Sequence, residues 1–158
     1  MKQRLVGLCF LFVLLACSNE KSPTHPNAAT AATELEQRVQ DLVNGIRTSQ
    51  GLEMLQWNEQ IAIIGRIHSQ NMANGKTDIG HNGFDARADD IYKIISWQRI
   101  GENVAFSRGA NDPVAKAVDG WMKSQGHQDN ILGDFNITGI GVAENGGGYY
   151  FTQIFVKK

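Results

Sequence analysis

Ile137-Thr138-Gly139-Ile140-Gly141-Val142-Ala143-Glu144-Asn145-Gly146-Gly147-Gly148-Tyr149-Tyr150-Phe151-Thr152-Gln153-Ile154-Phe155-Val156 reads as a closing hairpin. Ile137, Ile140 and Val142 belong to a glycine-punctuated strand, and Asn145-Gly146-Gly147-Gly148 supplies the turn. The returning segment, Tyr149 to Val156, is apolar on both faces, so it is expected at the centre of a sheet rather than on its rim. Gly133, Gly139 and Gly141 are expected to serve tight turns and close packing around that sheet.

Outward from the hairpin the periodicity is helical. Asp112-Pro113 is a helix start, an acid that can cap the first amides followed by a proline in the first turn. Val114, Ala117, Val118 and Trp121 then form one apolar face, which Gly126 is expected to end. Val104 and Phe106 suggest a short strand after Glu102. Further back, Leu35, Val39, Leu42, Val43 and Ile46 recur at helical spacing up to a stop at Gly51. Leu52, Leu55 and Trp57 form a short apolar connection. Asn58 can cap a second helix carrying Ile61, Ile64, Ile67, His68 and Met72, closed by Gly75. Asp85 is expected to cap a third, through Ile91, Ile94, Ile95 and Trp97. Helices, a strand, a helix and a closing hairpin argue an α+β domain with a small, largely antiparallel sheet.

The amino terminus is of another kind. Lys2 and Arg4 precede an apolar run from Leu5 to Ala16, too short to span a bilayer and built like a signal peptide. The run ends in Leu14-Leu15-Ala16-Cys17, which resembles the lipobox of bacterial lipoproteins, where the cysteine is acylated and becomes the first mature residue. Residues 1–16 are therefore expected to be a lipoprotein signal, residues 17–33 a lipidated tether rich in Ala, Thr, Asn and Ser, and residues 34–158 the folded domain. The expected address is extracytoplasmic and anchored through Cys17 to a bacterial membrane, the outer one in a Gram-negative cell. The other cysteine, Cys9, lies in the signal core, so the domain has neither a disulfide nor a cysteine nucleophile. Loss of residues 1–16 leaves 13 basic and 16 acidic residues, a formal charge of −3 that gives no sign of nucleic-acid binding.

Two histidines and a glutamate each sit in a distinctive patch. These are His81 in Gly80-His81-Asn82-Gly83-Phe84, Glu102 in Gly101-Glu102-Asn103-Val104-Ala105, and His127 in the block from Trp121 to Leu132. Brought together, they would offer a divalent cation such as zinc two imidazoles and a carboxylate, with one position open. Such a site would carry a net positive charge and suit an anionic ligand. Spacing alone shows no local metal signature, and a hydrogen-bonded polar network is the alternative. Asn103, Ser124, Tyr150 and Gln153 are further candidates for the cleft, Asn103 by satisfying backbone groups beside it. Ser124 is read as an ordinary serine at a helix C-terminus. His68, on the apolar stripe of the second helix, is read as a packed, hydrogen-bonded core residue, and Trp57, Trp97 and Trp121 as core anchors.

Five patches in this order, Leu55-Gln56-Trp57-Asn58, the His81 patch, the Glu102 patch, Trp121 to Leu132 and Tyr150-Phe151-Thr152-Gln153-Ile154-Phe155, resemble the CAP superfamily. That superfamily, also called SCP domains, includes cysteine-rich secretory, venom antigen and plant pathogenesis-related proteins. The resemblance covers about residues 35–156 and looks most like the small exported bacterial branch. It implies a three-layer α-β-α sandwich with a wide cleft, lined in eukaryotic members by two histidines and two acids that can bind a divalent metal. Three of those four match His81, Glu102 and His127. The fourth, an acid two or three positions after the residue matching Trp121, is replaced here by Lys123 and Ser124.

The expected function is a membrane-tethered binding module, non-catalytic, whose cleft holds an envelope ligand and a divalent ion. A metal-dependent hydrolase of peptide or cell-wall material is the alternative, with Glu102 as ligand or general base. Lipid or sterol binding, which resembles the activity of some eukaryotic relatives, is a third.

Overall fold

The computed structural model describes residues 28–158, with side chains described from Thr33 onward. The signal segment and Cys17 lie outside the described residues. Five helices and four strands follow in the order α1 (Ala28–Ser49), β1 (Gln56–Trp57), α2 (Glu59–Ala73), α3 (Phe84–Ile94), β2 (Arg99–Arg108), α4 (Pro113–Met122), α5 (Gln125–Ile131), β3 (Ile137–Asn145) and β4 (Gly148–Lys157). The sheet order is β1-β3-β4-β2, parallel between β1 and β3 and antiparallel elsewhere. Gly146 and Gly147 both adopt positive φ in the hairpin turn between β3 and β4. As its sequence demands, β4 is an inner strand, and Phe151 through Val156 are buried without interruption.

The sheet separates two apolar layers, giving the α-β-α sandwich. On one face, Val142, Phe151 and Phe155 pack with Val39 and Val43 of α1 and with Val114, Val118 and Trp121 of α4. On the other, Ile154 and Val156 meet Ile61 of α2 and Ile91 of α3. Helix α2 lies almost on the backbone of β3. A Cβ placed on Gly139 would stand 2.6 Å from Ile61 C, and one on Gly141 would overlap Arg66 N and Gly65 C. Ser69 Oγ fastens the contact by donating to Gly141 O at 2.9 Å.

Helix starts follow local chemistry. Asn58 Oδ1 accepts from Ile61 N, and Asp112 Oδ1 accepts from Val114 N and Ala115 N ahead of Pro113. Several expectations need correction. Helix α1 begins at Ala28, inside the expected tether, where alanines favour helix. The cap of α3 is Gly83 at φ 77°, because the chain turns there in a left-handed conformation, and Asp85 falls in the first turn. Helix α4 stops at Met122, and Gly126 lies inside a separate short helix, α5. Strand β2 is longer than expected and contains Glu102. Leu42, Ile67 and Ile94 are exposed, whereas Glu36, Gln40 and Arg47 of α1 are buried.

Each of those buried polar groups has backbone to satisfy. The Glu36 carboxylate accepts from Val142 N at 3.1 Å and from Arg66 Nε and Nη2. Gln40 Nε2 donates to Leu55 O. The Arg47 guanidinium donates to the carbonyls of Glu53, Ile131, Gly133 and Phe135 at 2.8–3.0 Å. Across the sheet, Trp121 Nε1 donates to Val104 O and Asn130 Nδ2 to Glu102 O, both on β2 at the end of the strand order.

Candidate functional site

The cleft forms where β2 ends the sheet and the two helical layers come within reach of each other. It is an open depression of about 380 Å³ lined by His81, Phe84, Gly101, Glu102, Ser124, Gly126, His127 and Asn130. His81 arrives from the loop before α3 and His127 from α5, and their ring centroids are 6.0 Å apart. Glu102 lies between them on β2.

Local chemistry holds each piece. Two donors fix the His81 loop: His68 Nε2 bonds Gly80 O at 2.8 Å, and Arg87 Nη1 donates to Asn82 O at 2.8 Å. Helix α5 is fastened to β2 by two asparagines, since Asn103 Nδ2 donates to His127 O and Asn130 Nδ2 donates to Asn103 Oδ1. Asn103 is fully buried, so it supports the cleft from beneath and does not line it.

Glu102 is almost fully buried, and a buried carboxylate needs paired charge. Its partner is Arg87. The guanidinium donates from Nε to Oε2 at 2.8 Å and from Nη2 to Oε1 at 2.7 Å, and His81 Nδ1 reaches the same Oε1 at 3.0 Å. An ionised carboxylate can only accept, so Nδ1 donates in this bond, and in the neutral ring His81 Nε2 is then the acceptor. Burial, and then the nearby His81, hold the pKa of His127 below the ordinary histidine value. The cleft therefore meets a ligand with His127 in its neutral form near pH 7.

A divalent metal does not fit this set as a three-ligand shell. Both Glu102 oxygens are engaged by a guanidinium, and among the described residues no group of three His, Cys, Asp or Glu is arranged to hold an ion. Lys123, where the family's second acid was expected, is exposed and pairs with Asp119 at 2.7 Å. Ser124 does line the cleft, but as the residue before α5 and not at the end of α4. Tyr150 and Gln153 do not line it: the Tyr150 ring stacks 4.8 Å from Phe106, and Gln153 is fully buried with Nε2 donating to Thr138 Oγ1.

Sequence reading missed Arg87. The available signal was its place beside the stripe Ala88 and Ile91 on α3, together with the need of any buried glutamate for a cation. His68 is a buried, hydrogen-bonded core residue, as read. Its burial lowers its pKa, so the folded state prefers the neutral ring. The unfolded chain then binds more protons below about pH 6.5, and His68 and His127 contribute stability that is complete above that pH and lost as pH falls through it. Urea midpoints measured from pH 7.5 to 5 should fall, with a shallower decline in His68→Gln; an unchanged slope in that variant would show that His68 is not involved.

Comparison with known proteins places this architecture. The chain is 35% identical to the Bacillus subtilis protein YkwD over 147 residues, 88% of this chain and 53% of that protein. It is 30% identical to the B. subtilis membrane protein YlbC over 131 residues, 80% of this chain and 35% of that protein. It thus spans about half of one relative's length and about a third of the other's. An extracellular SCP-domain protein of Bacillus anthracis superposes with a TM-score of 0.72 at 27% identity, over 87% of this chain and 45% of that one. An outer surface protein of Borrelia burgdorferi shares the fold, with a TM-score of 0.67 at 17% identity over 79% of this chain and 93% of that one. The profile of the Cysteine-rich secretory protein family, CAP, matches residues 40–155, a span that runs from within α1 into the last residues of β4 and includes every residue of the cleft, and the chain belongs to that family.

Proposed function

We propose that this protein is an exported CAP-domain module, tethered to a bacterial membrane through acylated Cys17, whose cleft binds an envelope ligand without turning it over. The observation that carries the binding reading is the meeting of two imidazoles from opposite layers at an open cleft of about 380 Å³, with Phe84 as an apolar wall. Glu102 faces Arg87 and lends the cleft no free negative charge. With His81 Nε2 and neutral His127 offering acceptors, the group recognised is an uncharged donor, a hydroxyl or an amide N–H. An anion suited the metal-loaded site expected from sequence; it does not suit this one. The address is supported by the signal-like segment, by Cys17 and by the extracellular B. anthracis relative. Among the described residues no helix is long and apolar enough to cross a membrane.

Titration of the protein with soluble muropeptides should shift the amide resonances of His81, Ser124, His127 and Asn130, and His127→Ala should weaken that binding about 10-fold, the weight of one buried hydrogen bond. No shift at millimolar muropeptide would end this reading of the cleft. In cell fractionation Cys17→Ser should move the protein from membrane to soluble fraction; a wild-type protein already soluble would end the tether.

The hydrolase reading keeps one observation in its favour. A carboxylate that fixes His81 in the Nδ1–H form leaves Nε2 able to take a proton from water. Any hydrolysis that survives both His81→Ala and His127→Ala would dispose of it.

A further inference from the structure

We propose that Arg87 acts as a built-in cation behind this cleft, neutralising Glu102 and keeping it out of any metal shell. The inference stands on the pairing itself and does not depend on the cleft's ligand.

Three features carry it. First, the guanidinium is fitted to the carboxylate edge-on, with Nε and Nη2 each taking one oxygen at 2.8 and 2.7 Å. This fork is the strong, directional form of an Arg–carboxylate contact, and with His81 Nδ1 also on Oε1 it leaves the carboxylate a single open lone pair, on Oε2. Second, the pair is shielded from water, the side chains of Arg87 and Glu102 being 12% and 1% exposed. A dication binding at Glu102 would have to displace this guanidinium or sit against its fixed positive charge, which burial leaves weakly screened. Third, Arg87 has a second task that a mobile ion could not perform alone. Its Nη1 donates to Asn82 O at 2.8 Å, so one side chain neutralises Glu102 and ties down the loop bearing His81. Gly83, at φ 77°, makes the left-handed turn that brings this loop into α3.

The geometry also explains how the chain manages without an acid two or three positions after Trp121. A metal shell of two imidazoles needs carboxylates to complete it, whereas a guanidinium needs only the one it already has. Lys123 is then free to face solvent and pair with Asp119. Arg87 is a positioning residue in this account: it acts on a ligand through Glu102 and His81, not by touching it.

The test is calorimetric titration of the purified protein with zinc chloride alone at pH 7.5, on the wild type, Glu102→Gln, Arg87→Met and Arg87→Met/Glu102→Gln, with circular dichroism melts to confirm folding. The wild type should show no zinc uptake that depends on Glu102; weak zinc held by the imidazoles and indifferent to Glu102→Gln would agree with that. Folded Arg87→Met should bind one zinc at least 10-fold more tightly than the wild type, and the double variant should lose the gain. Stoichiometric zinc in the wild type that disappears in Glu102→Gln would overturn the proposal, and so would a folded Arg87→Met that gains nothing. Should Arg87→Met not fold, the wild-type and Glu102→Gln arms still decide the matter.

Discussion

Gly141→Ala is expected to destabilise the fold by about 3 kcal/mol or more. A methyl group there has no space to enter, because it would overlap Arg66 N and Gly65 C, which are backbone atoms of α2 and cannot rotate away. Relief requires α2 to lift from β3, and the lift breaks the Ser69 Oγ bond to Gly141 O and opens the layer holding Ile61, Ile91 and Ile154. Overpacking of a core costs about 1–3 kcal/mol when side chains can adjust, and a clash between two backbones belongs at or above the top of that range. Against a total stability of about 5–15 kcal/mol, this is a large fraction of what holds the domain folded. Gly120→Ala is the control. That glycine lies in α4 with nothing near its absent Cβ, so alanine should stabilise by about 0.5–1 kcal/mol through helix propensity. Urea denaturation of both variants checks the contrast, and similar midpoints would refute the close approach of α2 to the sheet.

Arg47→Met should be nearly as severe, for a different reason. The side chain fits the hydrophobic environment of α1, but four carbonyls lose their donor, and those of Ile131, Gly133 and Phe135 lie where α5 runs into β3. Each buried acceptor left unpaired costs about 1–3 kcal/mol, and part of this returns as water enters, so a net loss of about 3–4 kcal/mol is expected. Lysine should not rescue it, since a single ammonium cannot reproduce the planar fork that reaches carbonyls on three sides. The damage should spread along α5 toward His127. Hydrogen exchange should therefore quicken for α5 amides before those of α2, and uniform exchange across both helices would count against this local role.

The sequence made plain those features that depend on neighbours along the chain. Asn58 and Asp112-Pro113 announce their helices because a cap acts on amides two or three residues away. The double-sided apolarity of Tyr149 to Val156 marks an inner strand for the same reason. Polar residues with distant partners were hidden. Glu36, Arg47 and Arg87 each look solvated by periodicity, yet their partners lie 106, 84–88 and 15 residues away, and only the assembled layers show them to be buried. The split between α4 and α5 was missed because Trp121 to Leu132 keeps a helical spacing through the turn at Lys123. For the cleft, resemblance gave the positions of His81, Glu102 and His127, and the structure shows that they adjoin one opening. What resemblance could not supply was the charge state of the set, because that depends on Arg87.

The sheet offers little to a passing strand. Isolated β-sheets invite pairing along their outer strands, the route by which crowded proteins form fibrils and swapped assemblies. Here the carbonyls of Glu102 and Val104 on the β2 rim are claimed by Asn130 and Trp121, and the amide of Val142, on the stretch of β3 that the short β1 does not reach, is claimed by Glu36. Side chains that occupy these positions leave fewer backbone groups for a second copy to pair with, so the same residues that seat the helices also limit strand pairing between copies wherever the chain is crowded.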